Sequence, residues 1–99
     1  MLALVDSDFE GVVFVWRGPA PFHFVAVPQD VCADLQEVAG RVSYGWGMVP
    51  VRVTVGSSTW QTSLWPKDGG YVVPLRAAFR SAEGLCVDDV VRVRLQVAV

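Results

Sequence analysis

His23 is the one side chain in this sequence whose unperturbed pKa lies near neutrality. In "FHFVAV" (22–27) it alternates with Phe22 and Phe24, so on a strand it faces away from two aromatics. A histidine in that position can act as a general base or pH sensor, or simply as a hydrogen-bonded wall residue. Tyr44, in the glycine-flanked loop "RVSYGWGM" (41–48), is the other candidate proton donor or acceptor. No fuller catalytic set can be assembled around them. Ser63 in "TSL" is not on a G-x-S-x-G elbow, and nothing sets a base beside it. One histidine and two distant cysteines, Cys32 and Cys86, do not make the three or four convergent ligands that zinc needs, and calcium-loop spacing is absent. The "GWG" and "DGG" stretches lack the strand–loop–helix setting that aims amides at a phosphate. No metal or cofactor is therefore expected.

Aromatic and polar residues offer binding chemistry instead. Along a strand at 59–65, Trp60, Thr62 and Leu64 share one face and Gln61, Ser63 and Trp65 the other. The Trp60 face is the more apolar and is assigned to the interior, together with Val51, Val53 and Val55. Arg52 and Thr54 then lie outside, on the side of Gln61, Ser63 and Trp65. Trp and Arg are enriched at interface anchors, and Arg stacks on an indole face. Glycines around Tyr44 and Trp46 allow close approach of the backbone to a ligand, while the aromatics supply contact area at low entropic cost. The candidate binding residues are thus Tyr44, Trp46, Arg52, Trp65 and Lys67; plugging a barrel mouth or sealing a barrel end is the competing role for the aromatics.

Short strands must position these groups. "FEGVVFVWR" (9–17), "FHFVAV" (22–27), "VPVRVTV" (49–55), "TWQTSLW" (59–65), "YVV" (71–73) and "VVRVRLQV" (90–97) read as strands, punctuated by Gly, Pro and Asp. Pro28 suits a helix's first turn, and in "QDVCADLQEVAG" Val31, Leu35 and Val38 fall on one helical face, with Gly40 as the stop. Pro74 is read the same way, opening "LRAAFRSAEG" (75–84) with Gly84 as its stop. Both halves run strand, turn, strand, Val-Pro, helix, Gly, loop, strand. The expected fold is mainly β: a small six-stranded barrel-like domain with two short helices, built from a pseudo-two-fold ββαβ repeat and spanning residues 1–99 with its core at 9–97.

The ordered block of G-x-G (45–47), V-x-V-T-V-G (51–56), T-W-x-T-S-L (59–64), P-K-x-G-G-Y (66–71) and V-P-L (73–75) resembles the domain-of-unknown-function 1905 family, and the likeness extends from about Phe9 to Val97. The resemblance implies a closed or nearly closed β-barrel of bacterial or archaeal cytoplasmic origin, and it brings no reaction. Family members are often followed by a bacteriocin-protection-type domain, a role for which this chain would need a separate partner. The segment "VVPLRAAFRSAEGLCVDDVVRVRL" is also similar to the unit of swapped-hairpin transition regulators, which bind DNA as dimers through basic residues.

Charge argues against that last activity here. The 99 residues carry eight Lys and Arg, scattered along the chain, and a net charge of −2, so nucleic acid is not an expected partner. No apolar run is long enough to span a membrane, and "MLALVDSDFEG" has no basic leader, so a cytoplasmic chain with reduced, packed thiols is expected. Hydrophobic content of 53% with 18% charged residues leaves apolar surface for a pocket or a homodimer, unless a Val-rich core absorbs it. The leading expectation is a non-catalytic module binding a small molecule or a protein. The alternatives are a small barrel enzyme acting on an apolar metabolite, with His23 or Tyr44 moving the proton, and a swapped-hairpin DNA-binding regulator.

Overall fold

A computed structural model describes residues 3–17, 22–42, 45 and 47–98. The elements are β1 (Ala3–Trp16), β2 (Phe22–Ala26), α1 (Gln29–Val42), β3 (Val49–Val55), β4 (Ser58–Lys67), β5 (Gly70–Leu75), α2 (Ala77–Glu83) and β6 (Val90–Ala98). All six strands pair antiparallel and close into a barrel in the order β1-β2-β5-β4-β3-β6. The mainly-β, six-stranded barrel with two helices is therefore the fold. Exchanging β1, β2 and β3 for β4, β5 and β6 leaves the set of neighbours unchanged. Among the described residues no helix is long and apolar enough to cross a membrane.

Period-two alternation fills the interior. Val49, Val51, Val53 and Val55 of β3 and Val91, Val93, Leu95 and Val97 of β6 are all buried. Trp60 and Leu64 of β4 join them, as expected from the more apolar face of that strand. Branched side chains suit this packing because they lose little rotamer freedom on a pleated surface. Among the described residues the core holds no polar or charged residue. Helix α1 covers it with Val31, Cys32 and Leu35, and Val38 packs partly buried on the same face. Helix α2 buries no residue fully, but Phe79 stacks on Trp60 with ring centroids 4.3 Å apart and planes 14° from parallel.

Several boundaries differ from the sequence expectation, each for a physical reason. Strand β1 starts at Ala3 rather than Phe9, because Asp6, Asp8 and Glu10 point outward opposite Gln96, Arg94 and Arg92 of β6 while Val5 and Phe9 point in. Helix α1 passes through Gly40, which has ordinary helical backbone and open space around it, so no left-handed stop forms there. Gly84 does supply one, at φ 65°, where its N–H reaches the Arg80 carbonyl. Pro28 precedes α1, and its carbonyl accepts the Cys32 N–H at 2.9 Å. Pro74, by contrast, opens no helix. It lies within β5 opposite Phe24, and α2 begins three residues later. A proline is tolerated there because β4 pairs β5 only through Trp65–Lys67 and Gly70–Val72, so that side of β5 is open beyond Val72. Cys86 is exposed rather than packed, whereas Cys32 is buried with its thiol directed at the Val27 carbonyl at 3.4 Å.

One close approach holds the two ends of β1 to different neighbours. The strand pairs with β6 up to Val12 and with β2 from Val13, and Gly11 lies at the crossing. A Cβ on Gly11 would meet Val25 Cγ1 at 2.5 Å and the Ala26 carbonyl oxygen at 3.2 Å. Gly11→Ala is expected to destabilise the domain by roughly 1–3 kcal/mol through overpacking. Urea denaturation should show a lower midpoint with an unchanged slope; an unmoved midpoint would mean that β1 and β2 separate without cost.

Candidate functional site

The two halves of the barrel wall differ outside. Beyond the β1–β6 pair the outer face is charged: Arg94 donates twice to Asp6, at 3.1 and 2.9 Å, and Arg92 lies 3.9 Å from Asp8. Arg94 holds the Asp6 carboxyl below the usual carboxylate range, mainly through its side-chain hydrogen bonds. Arg52 belongs to this polar face, opposite Gln61 on β4 and Gln96 on β6.

The outer face of β1, β2, β5 and the end of β4 is aromatic. Phe24 points outward by strand parity, opposite to inward Val25, yet it is only 2% exposed. Phe14, Phe22 and Trp65 cover it, with ring centroids 5.8, 6.1 and 5.2 Å from its own. Trp65 also meets Phe22 edge-on at 5.2 Å, and the Lys67 ammonium stands 5.3 Å from the Phe14 centroid. These edge-to-face contacts are the favoured geometry for aromatic quadrupoles. A small second apolar cluster thus exists outside the barrel, and Trp65 is part of it.

Trp65 also forms part of a cavity. Beyond the Trp65–Val72 pair β4 parts from β5, and Thr62 and Ser63 lie on the other side from Pro74 and Leu75 of a space of about 570 Å³ that Trp65 also lines. Phe22 and His23 of β2, Met48, and Arg76, Ala77 and Arg80 at the start of α2 complete its lining. The lining therefore draws on both the inward and the outward residues of the wall, as expected of a split rather than a lumen. A second hollow of about 440 Å³ lies between α1 and the β4–β5 turn. Cys32, Gln36, Lys67 and Phe14 line it, and the Gln36 side-chain amide donates to the Gly69 carbonyl at 3.4 Å. The first cavity has the richer chemistry, because it gathers an imidazole, two guanidinium groups, hydroxyls and an indole.

His23 and Arg80 are tied together there. Arg80 sends Nε to the Leu75 carbonyl and Nη1 to His23 Nε2, each at 3.3 Å. Arginine can only donate, so Nε2 is the acceptor and the imidazole is neutral with its proton on Nδ1. Desolvation, followed by the charge of Arg80, pushes the His23 pKa below the ordinary imidazole value. The unfolded chain therefore takes up this proton first as the pH falls. Stability is expected to be constant above about pH 6.5, to decline as the pH drops from there to the folded-state midpoint, and then to level off. An NMR titration of the His23 ring should give a midpoint below 6.5, and His23→Gln should flatten the decline. A midpoint at or above 6.5 would contradict the half-buried, arginine-facing setting.

Of the binding candidates read from sequence, Trp65 lines the main cavity and Lys67 the smaller hollow. Arg52 lines neither. Tyr44 and Trp46 lie outside the described residues. Their loop leads into Gly47, at φ 88° against Pro66, and then Met48 on the cavity wall. His23, considered for proton transfer, is at the cavity with Trp65. Arg76 and Arg80 were not singled out from sequence, although their spacing of four in "LRAAFR" places both on one helical face.

No curated protein matches the chain. The family model for a domain of unknown function (DUF1905) matches residues 9–95, nearly the whole barrel, and the chain belongs to that family.

Proposed function

We propose that this domain is a non-catalytic small-molecule-binding module whose ligand occupies the cavity between β4 and β5. The observation that carries this reading is the convergence of His23, Trp65, Arg76 and Arg80, from two strands and a helix, around about 570 Å³ of space. That volume falls within the roughly 300–1,000 Å³ typical of ligand pockets, and the mixture of aromatic wall with few polar groups is their usual composition. An enzymatic role is less well supported, because Arg80 already engages the Nε2 lone pair that His23 would need as a base. The test is an NMR screen with indole and naphthalene fragments. Shifts concentrated on His23 and the Trp65 indole support the reading, and shifts confined to other faces sink it.

A homodimer through the aromatic face is a second reading. It is favoured by Val12, Trp16 and Phe22, which are 48%, 47% and 41% exposed on the outward face of β1 and β2. Sedimentation velocity should then show a concentration-dependent dimer that Trp16→Ser abolishes; a monomer throughout would remove it.

A further inference from the structure

Charge distribution around the cavity says what kind of molecule it takes. The chain is acidic overall, with ten Asp and Glu against eight Lys and Arg. Even so, among the described residues the cavity lining contains two arginines and no carboxylate. Glu83 of α2 and Asp89 are used elsewhere: Glu83 accepts from Ser58 Oγ at 2.6 Å and from the Ser57 N–H at 3.3 Å, and Asp89 accepts from the Cys86 N–H at 2.8 Å. Two of the N–H groups of Arg80 are taken, by Leu75 and His23, both uncharged acceptors. Its remaining donors and those of exposed Arg76 have no anionic partner in the lining. The aromatic part of the lining is the Trp65 indole with the Phe22 ring set edge-on to it at 63°, so the indole offers one flat apolar face. Such a division suits an anion at one end and a planar body at the other.

On the strength of the binding reading above, we propose that the ligand is a small organic carboxylate on a flat apolar body, its carboxylate held by Arg76 and Arg80 and its body against Trp65 and Phe22. Guanidinium groups match a carboxylate through paired N–H donors, and these charge-assisted bonds are about twice as strong as neutral ones. A carboxylate bound here also faces His23. Arg80 of α2 contacts that ring, and the polar and charged groups that share its cavity lining are Arg76, just before α2, and the Thr62 and Ser63 hydroxyls of β4. No acid competes, so an incoming anion is the one negative charge that the imidazole meets.

The experiment compares 2-naphthoate, its neutral counterpart 2-naphthamide and inorganic phosphate by calorimetry and by NMR on the intact chain. 2-Naphthoate should bind, with 2-naphthamide at least tenfold weaker, and it should raise the His23 titration midpoint. Arg76→Gln, at an exposed position, and Arg80→Gln should each weaken 2-naphthoate roughly tenfold while leaving 2-naphthamide unchanged. Arg80 also holds His23 and Leu75, so circular dichroism checks folding, and Arg76→Gln carries the test if Arg80→Gln unfolds. Equal binding of 2-naphthamide overturns the carboxylate assignment and leaves the small-molecule reading standing. Phosphate binding as tightly as 2-naphthoate also overturns it, since the flat body would then contribute nothing. Failure of both naphthalene probes to shift His23 or Trp65 removes the cavity itself as the binding site.

Discussion

Trp60→Ala is expected to be the most damaging single substitution in this domain, costing about 3–5 kcal/mol. A domain of this class has about 5–15 kcal/mol of stability in total, so the substitution removes a large share of it. The side chain is 6% exposed, and its loss opens a cavity in a core built mostly of valine, which cannot reach across to fill it. Its second task is to hold α2. That helix buries no residue, and its hold on the barrel consists of the Phe79–Trp60 stack, the Glu83 bonds to Ser57 and Ser58, and the Arg80 bonds to His23 and Leu75. Removing the stack should therefore loosen Arg76 and Arg80 even under conditions where the barrel survives. Trp60→Phe is the informative control. The indole N–H is buried without an acceptor, so its removal forfeits no hydrogen bond and relieves an unsatisfied donor. Phe should keep the stack and cost only about 1–2 kcal/mol, by the loss of ring volume. Urea midpoints for the two variants decide the matter: if Ala is as mild as Phe, Phe79 and the barrel end do not depend on this ring.

The contrast between Trp60 and Trp65 was partly legible in "TWQTSLWPKDGGYVVP", because strand parity separates positions 60 and 65 without knowledge of any partner strand. The same parity placed Val51, Val53 and Val55 inside, Arg52 outside, and His23 opposite Phe22 and Phe24. Parity has no information about pairing, however, and the cavity is a consequence of pairing. It exists because β4 joins β5 only from Trp65 onward and β5 is unpaired on that side after Val72, and nothing local announces that event except Pro74, which the Val-Pro likeness to residues 27–28 assigned to a helix start. Phe24 shows a related limit. An outward residue on a strand should be wet, but three rings from three strands gather around that position, and only the closed β1-β2-β5-β4 order brings them together. Asp6 and Asp8 masked the start of β1 because their partners, Arg94 and Arg92, lie more than eighty residues away. Arg76 and Arg80 were not singled out, because without the split in the wall they face no particular space.

Trp65→Ala should separate binding from folding. The ring has two edge contacts, to Phe22 and Phe24, each worth roughly 0.5–1.5 kcal/mol beyond area burial, so a loss of about 1–3 kcal/mol is expected. The melting temperature should fall by roughly 5–20 °C, because a domain near 100 residues moves about 4–8 °C per kcal/mol, but the barrel should remain folded at 10–20 °C. At those temperatures the affinity for a naphthalene probe should drop more than tenfold, since the indole is the largest flat surface of the cavity wall. Trp65→Phe should recover most of the stability and part of the affinity. Arg52→Ala serves as the reference: it lies among Gln61 and Gln96 on the polar face, and both quantities should stay within about 0.5 kcal/mol of the parent. If Trp65→Ala folds and binds the probe as the parent does, the indole serves only to cover Phe24. Affinity would then have to come from the Arg76–Arg80 end, and Arg76→Gln becomes the variant that locates it.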